Sequence, residues 1–243
     1  EGTMLYALAA NGRLVAIDIS DFEPTLRGSL DMPQPGAKLF VGGGVAFVSI
    51  GEGFAQGFMT ADVVDPDNLT LLSDVDANNI AGRAIVANGS GLAISVGDLG
   101  FGIGSVMHVL DVSDPTNTAG FLAQIELPPD PRGLALGAGI AFVANGANGL
   151  QIVNYRSFDN LGQPPTVAIA SPVADADGGA PGIQVIEGST IPIRVTISDD
   201  VQIRNVQLIV NGQVVANDVA FPFNFVANAP ALSTGVSNVS IQV

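Results

Sequence analysis

The sequence predicts an all-β protein from its composition, from an internal repeat of strand-like segments and from a hairpin signal in its last third. The chain has 243 residues, and 18 of its 23 acidic residues are Asp. It also contains 30 Gly and 15 Pro. Asp, Gly and Pro form turns whereas Glu favours helices, so this composition indicates many short strands. The hydrophobic content of 47% is enough to fill one large or two ordinary domains.

Strand-like segments recur in the first two thirds of the chain. Three of them consist of an apolar run that ends in an Asp-rich turn, and they occupy residues 14–21, 59–66 and 109–115. The first Asp of the turn stands at positions 18, 62 and 111, in steps of 44 and 49 residues. A fourth copy at residues 150–154 has Asn154 in the Asp position. This spacing indicates a repeat of about 45 residues.

A second landmark moves in phase with the first. Gly36, Gly82 and Gly133 each precede two short apolar runs that a Gly turn separates, and their spacing is 46 and 51 residues. The runs cover residues 38–41 and 45–50, 84–87 and 92–96, and 134–136 and 140–144. Each period therefore predicts four antiparallel strands. A four-stranded unit repeated about every 45 residues is typical of a β-propeller blade.

Two motifs carry a family resemblance. The third copy reads V-L-D-V-S-D-P-T-N at residues 109–117, and the array ends with A-F-V-A-N-G-x-x-G-L-Q-I-V-N at residues 141–154. These motifs resemble the LVIVD repeat family, whose β-propeller repeats occur in bacterial and archaeal surface proteins. The resemblance covers roughly residues 4–155. It implies blades and a surface location, but no defined reaction.

The predicted array of blades is incomplete. Residues 1–155 supply about fourteen strands, because the first blade lacks its first strand and the last blade lacks its fourth. A ring needs more blades to close without open strand edges, and open edges promote aggregation. We therefore expect the chain to be the C-terminal part of a larger propeller or a fragment that another chain completes.

The pattern changes after the repeats. Residues 156–165 break the period and end in Pro164-Pro165, which indicates a linker. Alternating apolar residues then predict strands at residues 166–172, 190–200, 203–210, 213–215 and 236–243. Asn211-Gly212 between two apolar runs is a strong signal for a two-residue hairpin turn. These signals therefore predict a second, all-β domain at residues 166–243.

The second domain also carries a family resemblance. Its motifs are P-T-V-x-I-x-S-P, E-G-S-T-I-P-I-x-V-x-I-S-D-D, V-x-L-x-V-N-G and F-P-F-x-F, in that order. They resemble the bacterial immunoglobulin-like domains of large secreted adhesins, which implies an Ig-like β-sandwich. The family usually adds a strand that ends in A-x-D-x-x-G-N. That strand is absent here, so we expect the natural polypeptide to continue.

Charge and composition exclude several classes of function. The formal net charge is −15, Lys38 is the only lysine and the arginines are scattered singly. Nucleic-acid binding needs clustered cations, so no nucleic acid is an expected partner. No apolar run is long enough for a membrane helix. The absence of Cys and the single His108 exclude thiolate chemistry and multi-histidine metal sites.

The Asp residues of the repeat have two interpretations. The three pairs could contribute to Ca²⁺ sites, since carboxylates separated by two residues on a turn can converge on this ion. Asp also accepts backbone N–H bonds within turns, and we favour this structural interpretation. The pairs are Asp18 and Asp21, Asp62 and Asp65, and Asp111 and Asp114.

The best candidate for a cation site lies in the second domain. Asp175 and Asp177 precede a Gly turn, and Asp199 and Asp200 end a predicted strand that could lie at the same pole. Hard oxygen ligands suit Ca²⁺, and no softer ligand competes. The alternative is a solvated loop, because the segment lacks the spacing of a 12-residue EF-hand loop. Ca²⁺ is thus the one cofactor that the sequence suggests.

Nothing in the sequence nominates catalytic residues. The predicted inner strands at residues 38–41, 84–87 and 134–136 are nearly all apolar or small. The sequence therefore predicts a non-catalytic structural or adhesive segment of a large secreted or cell-surface prokaryotic protein, which could self-assemble into a layer, sheath or filament. Its expected partners are other copies of itself or neighbouring domains, and surface glycans or proteins. The alternative is a fragment of an extracellular propeller enzyme, a hydrolase or lyase, whose catalytic residues lie outside this chain.

Overall fold

The computed structural model is an all-β structure, as the sequence predicts. It describes residues 3–51, 56–75, 80–100, 104–155, 163–171, 173–175, 177–199, 203–229, 231 and 240–242. A single 3₁₀ turn at Gly146–Asn148 is the one helical segment in these ranges. No helix within them is long and apolar enough to cross a membrane.

The first fourteen strands form four antiparallel sheets. The first sheet contains β1 (Met4–Leu8), β2 (Arg13–Asp18) and β3 (Thr25–Asp31). The second contains β4 (Lys38–Gly42), β5 (Val45–Ser49), β6 (Phe58–Asp62) and β7 (Thr70–Ser73). The third contains β8 (Ala84–Ala87), β9 (Leu92–Asp98), β10 (Ser105–Asp111) and β11 (Phe121–Leu127). The fourth contains β12 (Gly133–Gly137), β13 (Ile140–Ala144) and β14 (Leu150–Asn154).

This arrangement confirms the predicted number of strands before residue 155. The paired runs joined by Gly turns are β4 and β5, β8 and β9, and β12 and β13. The Asp turns follow β2, β6 and β10. No closed ring of sheets is seen in the described part of the chain, so the propeller remains a prediction.

The four sheets pack in sequence order, with one apolar core between each pair of neighbours. Leu14 of the first sheet shares a core with Val48 and Met59 of the second. Phe47 and Phe58 of the second sheet share the next core with residues of the third. A third core joins the third and fourth sheets and includes Ile94, Met107 and Val143. Each interface inside this series is thus a contact between two sheets that come from successive copies of the repeat.

Burial differs between the inner and the outer sheets. In the second and third sheets, residues 46–49 of β5, 58–61 of β6, 93–97 of β9 and 105–110 of β10 are buried at every position. Both faces of these strands are therefore covered. In β2 and β13 full burial occurs only at alternate positions. Because successive side chains of a strand point to opposite faces, the two outer sheets are packed on one face only.

The Asp turns are built by side-chain hydrogen bonds to the backbone. Oδ1 of Asp18, Asp62 and Asp111 accepts an N–H bond from the residue two positions later, at 2.8 to 3.0 Å. Asp65 and Asp114 do the same at 3.0 and 2.9 Å. These are Asx turns, so the structural interpretation is confirmed for five of the six repeat Asp residues. Bonds from Ser113 lower the pKa of Asp111, and bonds from Thr116 lower that of Asp114.

The last part of the chain is a sandwich of two antiparallel sheets. One sheet has the order β15 (Thr166–Ala170), β16 (Thr190–Ser198) and β19 (Asn224–Asn228). The other has the order β18 (Gln213–Asp218), β17 (Val206–Val210) and β20 (Ile241–Gln242). Their inner faces meet in a core that includes Ile193, Leu208 and Phe225. This agrees with the predicted Ig-like β-sandwich.

The details of this sandwich differ in part from the sequence prediction. Asn211 and Gly212 have φ values of 49° and 77°, so the predicted hairpin turn between β17 and β18 is confirmed. The sequence pattern does not predict β19, since the only strand predicted after the apolar residues 221–225 is the final one at residues 236–243. The final strand itself covers Ile241–Gln242, and residues 232–239 lie outside the described part. Residues 156–162 of the predicted linker also lie outside it.

Candidate functional site

Two of the four predicted cation ligands, Asp175 and Asp177, lie in one hydrogen-bonded loop of the sandwich. Oδ1 of Asp175 accepts N–H bonds from Asp177 and Gln184, at 3.1 and 3.0 Å. Oδ1 of Asp177 accepts an N–H bond from Gly179 at 3.0 Å. These bonds fold the loop around the two carboxylates, and both side chains are exposed. One oxygen of each carboxylate therefore accepts hydrogen bonds from the backbone of the loop.

The other half of the predicted cation site cannot be assembled from the described residues. Asp199 is half-buried at the end of β16, and Asp200 lies outside the described residues. Among the residues that are described, no group of three or more His, Cys, Asp or Glu side chains comes together as a metal site does. The structure therefore does not bring Asp175, Asp177 and Asp199 into one such group. Binding of Ca²⁺ stays a prediction.

His108 is a buried structural residue rather than part of a cluster. Its Nδ1 accepts the N–H bond of Ala81 at 3.1 Å, and its Nε2 lies 3.1 Å from Oε1 of Gln124. These contacts require a neutral ring that carries its proton on Nε2. The ring also lies edge-on to Phe121, with 5.3 Å between the centroids. Burial lowers the pKa of His108, which favours the neutral ring.

Lys38, Arg83 and Arg132 lie close together. Each stands at, or directly before, the first strand of its sheet, which is β4, β8 or β12. Asp130 accepts from Nη1 of Arg83 at 3.0 Å and from Nε of Arg132 at 2.8 Å. Lys38 donates to the backbone oxygen of Arg132. Arg27 similarly joins two repeats, since it binds Asp67 at 2.6 Å and Asp18 at 3.1 Å. Arg27 and Arg83 thus link consecutive sheets by ion pairs, and Lys38 links the second sheet to the segment before the fourth by a hydrogen bond.

The outward face of the first sheet is apolar and exposed. The register places Leu5, Ile17 and Leu26 side by side across β1, β2 and β3. Leu26 is 63% exposed and Leu5 is 48% exposed. The neighbouring row contains Ala7, Val15 and Ser29. We call this surface, formed by residues 5, 7, 15, 17, 26 and 29, the front face.

The outward face of the fourth sheet has the same character. Ala135, Phe142 and Ile152 form one row across β12, β13 and β14, and Leu150 lies beside Ala144 in the next row. Ile152 is 63% exposed and Leu150 is 59% exposed. We call this surface, formed by residues 135, 142, 144, 150 and 152, the back face. The front and back faces lie on the two outermost sheets of the packed series.

A short segment of the sandwich contacts three turns of the repeat sheets. The ring of Phe221 packs on Gly42 at the end of β4, on Gly43 in the turn that follows, and on Gly89 between β8 and β9. Val219 accepts an N–H bond at 2.9 Å from Ala138, which lies between β12 and β13. Residues 219–221 thus contact the equivalent Gly-turn region of the second, third and fourth sheets.

None of these three surfaces was predicted from the sequence. The signal that could have identified the back face is the recurrence of Leu150 and Ile152 at alternate positions of β14. It contrasts with the continuous apolar run of residues 45–48 in β5. No local pattern identifies the partner of Phe221, because the turns it contacts are more than 100 residues away in sequence.

Comparison with known proteins supports the second domain alone. Residues 165–241 match the family model described as "Bacterial Ig domain". The predicted resemblance of this segment is therefore confirmed, and a bacterial Ig domain occupies the last third of the chain. No LVIVD repeat family is detected. No curated protein matches the chain.

Several solved structures are similar to the chain at low sequence identity. A functionally unknown protein from Desulfotomaculum acetoxidans DSM 771 has a TM-score of 0.47 at 12% identity, over 86% of this chain and 70% of that one. Hydrazine synthase of Kuenenia stuttgartiensis has a TM-score of 0.42 at 11% identity, over 99% and 80%. The N-terminal domain of Nup159 has a TM-score of 0.37 at 11% identity, over 99% and 71%. None of these similarities is close enough to assign a fold or an activity.

Proposed function

We propose that this chain is a non-catalytic structural or adhesive segment of a large secreted or cell-surface prokaryotic protein, and that its copies associate end to end. In this proposal the four repeat sheets are LVIVD-type propeller blades that form a rigid scaffold. The bacterial Ig domain acts as a spacer or attachment module. Such domains are common in extracellular and surface proteins, which supports this location.

The observation that carries the proposal is the exposure of the front and back faces. Inside the chain, the second and third sheets have both faces covered by another sheet of the same repeat. The front face and the back face each leave a row of large apolar side chains in water. Exposed apolar patches of this kind mark interaction surfaces. Inside the chain, such a face is covered by the sheet of the next copy of the repeat. In the proposal, a second copy of the chain supplies the covering sheet.

The two faces belong to different sheets, so the contact is head to tail. The front face of one copy would pack on the back face of the next, as the first sheet packs on the second within one chain. A heterologous contact of this type continues into a filament unless the rotation between copies closes a ring. Copies with a net charge of −15 repel one another, so association is expected to strengthen when salt is added.

Analytical ultracentrifugation over a range of protein concentrations tests the proposal. We expect the wild-type chain to associate reversibly into a series of species. Ile152→Asp on the back face and Leu26→Asp on the front face should each stop this growth, because a charge cannot be buried in the apolar contact without a large cost. Val226→Asp is the matched control, because Val226 is 59% exposed on the Ig domain and lies outside both faces.

A mixture of the two face variants separates the head-to-tail contact from other modes. Ile152→Asp retains an intact front face, and Leu26→Asp retains an intact back face. An equimolar mixture is therefore expected to form a heterodimer that grows no further. A wild-type chain that stays monomeric at all concentrations and salt levels contradicts the proposal, as does association that Val226→Asp weakens as much as Ile152→Asp does.

A further inference from the structure

A cavity of about 230 Å³ lies between the repeat sheets and the Ig domain. Met4 and Tyr6 of β1 and the turn after β6 line one side. Arg194 and Thr196 of β16, together with residues 221–224, line the other. Cavities between two packed units are frequent ligand sites. The volume is below the range of about 300 to 1,000 Å³ for drug-sized ligands, so this cavity suits a ligand of about one ring.

The strand register presents a polar row to this cavity. Ala170, Arg194 and Asn224 are direct neighbours across β15, β16 and β19. Ile193 and Val195 on the same strand are buried in the core of the sandwich, so Arg194 and Thr196 project from the opposite face of the sheet. The guanidinium, the amide and the hydroxyl therefore belong to one rigid sheet surface.

The electrostatics of the cavity are unusual for this chain. The formal net charge is −15, yet the described residues that line the cavity include no Asp or Glu. Arg13, Arg27, Arg83 and Arg132 each bind a carboxylate. Arg194 makes no ion pair within the described part of the chain. As far as the described residues go, the cavity thus holds a cation without a carboxylate partner, in a protein that has almost three acidic residues for every basic one.

The rest of the cavity lining is largely apolar and includes aromatic rings from both sides. Tyr6 donates its hydroxyl to the backbone oxygen of Val63 at 2.9 Å, which holds the ring in place. Phe221 lies between Phe40 and Phe223, with centroid distances of 6.2 and 5.7 Å. A ligand in this cavity therefore meets the fixed apolar surface of Tyr6 and Phe221 as well as Arg, Asn and Thr side chains.

We infer that this cavity binds a single sugar ring that carries a carboxylate, such as a uronic acid residue. The planar guanidinium of Arg194 matches a carboxylate through two parallel hydrogen bonds. Asn224 and Thr196 can bind ring hydroxyls as donors and acceptors. Tyr6 and Phe221 supply apolar surface for the C–H groups of the ring. The inference gives a ligand class to the adhesive role and in that sense rests on the proposed function.

Binding of glucuronate to the full chain tests the inference. Isothermal titration calorimetry should detect saturable binding of glucuronate, with acetate and glucose as probes that carry only the carboxylate or only the ring. Arg194→Gln is expected to weaken glucuronate binding at least about tenfold, because a hydrogen-bonded charge is lost. Arg204→Gln is the matched control, since Arg204 is exposed on the same domain and does not line the cavity.

The outcomes separate this inference from the end-to-end association. Binding of glucuronate that Arg194→Gln weakens and Arg204→Gln leaves unchanged supports the inference, whether or not the chain associates. No saturable binding of glucuronate overturns it, as does equal binding of acetate or of glucose. Thermal melting of both variants shows whether they fold as the wild type does. Since Arg194 lies outside the front and back faces, Arg194→Gln should leave the sedimentation of the chain unchanged.

Discussion

The ring of Phe221 occupies the space that a side chain on Gly42 would fill. A Cβ on Gly42 would overlap Cε1 of that ring, and a Cβ on Gly89 would come within 2.6 Å of Cδ2. Phe221 belongs to the Ig domain, and Gly42 ends β4 of the second sheet. The absence of a side chain at Gly42 thus allows the two parts of the chain to pack directly against each other.

Gly42→Ala is expected to destabilise this packing. The added methyl group must displace the Phe221 ring, and overpacking of this kind typically costs about 1 to 3 kcal/mol. The backbone of Gly42 does not lie in the left-handed region, so the cost comes from the ring and not from strain in the main chain. Chemical denaturation gives the change in the free energy of unfolding.

Gly137→Ala is the matched control for this prediction. Gly137 ends β12 as Gly42 ends β4, but its nearest atom in that direction is the oxygen of Val219 at 3.9 Å. It should therefore be tolerated. In a Phe221→Ala background, the cost of Gly42→Ala should largely disappear, because the overlapping ring is gone. An unchanged cost in that background would rule out the contact as its cause.

The stability of the protein should decrease when His108 becomes protonated. Burial lowers the pKa of His108 in the folded state, so the unfolded chain binds the proton more readily. The contribution of the neutral ring is complete above the unfolded pKa of about 6.5 and declines as the pH falls below it. The slope from this group is at most about 1.4 kcal/mol per pH unit. Denaturation curves between about pH 7 and pH 5 measure it.

His108→Gln provides the control for this pH dependence. Glutamine does not titrate, so the variant should have a smaller slope between about pH 7 and pH 5, even if its stability is lower throughout. The same slope in the variant and the wild type would show that other groups are responsible.

Asp111 is expected to stabilise its turn in the ionised form. Its Oδ1 accepts bonds from the N–H and the hydroxyl of Ser113, at 3.0 and 2.6 Å, and these bonds lower its pKa in the folded state. The contribution is therefore present above the unfolded pKa of about 3.9 and is lost as the pH falls through the lower, folded value. Asp111→Ala should cost about 1 kcal/mol near neutral pH, because a backbone N–H loses its partner.

Asp111→Asn separates the hydrogen bond from the charge. The amide oxygen can still accept from Ser113, so this variant should keep most of the stability of the wild type near neutral pH. It lacks the titrating carboxylate, so its stability should fall less steeply in acid. Thermal melting as a function of pH distinguishes the two variants, and equal losses for both near neutral pH would contradict the role of the Oδ1 acceptor.

The calcium prediction can be tested without knowledge of the geometry. If Ca²⁺ binds at Asp175 and Asp177, millimolar Ca²⁺ should raise the midpoint of thermal unfolding. The free energy of unfolding should increase by about 2.7 kcal/mol when the Ca²⁺ concentration is 100 times the dissociation constant. The double variant Asp175→Asn, Asp177→Asn should lose this shift. Asp31→Asn is the control, since Asp31 lies in β3 of the first sheet. An unchanged midpoint in the wild type refutes the prediction.

Much of the local structure could be predicted because its causes are local. The Asp turn after β10 depends on Asp111 and Ser113, two residues apart, and the hairpin between β17 and β18 depends on Asn211 and Gly212. The phase of the Gly and Asp landmarks predicted the four strands of the second sheet and the four of the third. β19 was missed because Asn224–Asn228 contains only three apolar residues, of which Phe225 and Ala227 are buried and Val226 is exposed.

The residues of the candidate surfaces could not be predicted from such patterns. Arg194 alternates with buried Ile193 and Val195, which places it on the outer face of its sheet but does not identify what lies opposite. Tyr6 reaches the same cavity from a strand almost 190 residues earlier in the chain. Contacts of this range depend on how the sheets pack, and no spacing in the sequence records them.

By itself, the sequence determined the all-β class, the repeat of about 45 residues, the Asx turns and the Ig domain, because turn chemistry and alternation act over a few residues. The tertiary structure alone decided which sheet faces are covered. All four sheets are copies of one repeat. Strands β6 and β10 of the second and third sheets are buried on both faces, whereas β2 and β13 of the first and fourth are buried on one face. Which sheet faces are buried depends on which sheets lie next to each other. The packing of the Ig domain on the repeat sheets likewise decides that Phe221 contacts Gly42 and that Arg194 lines a cavity.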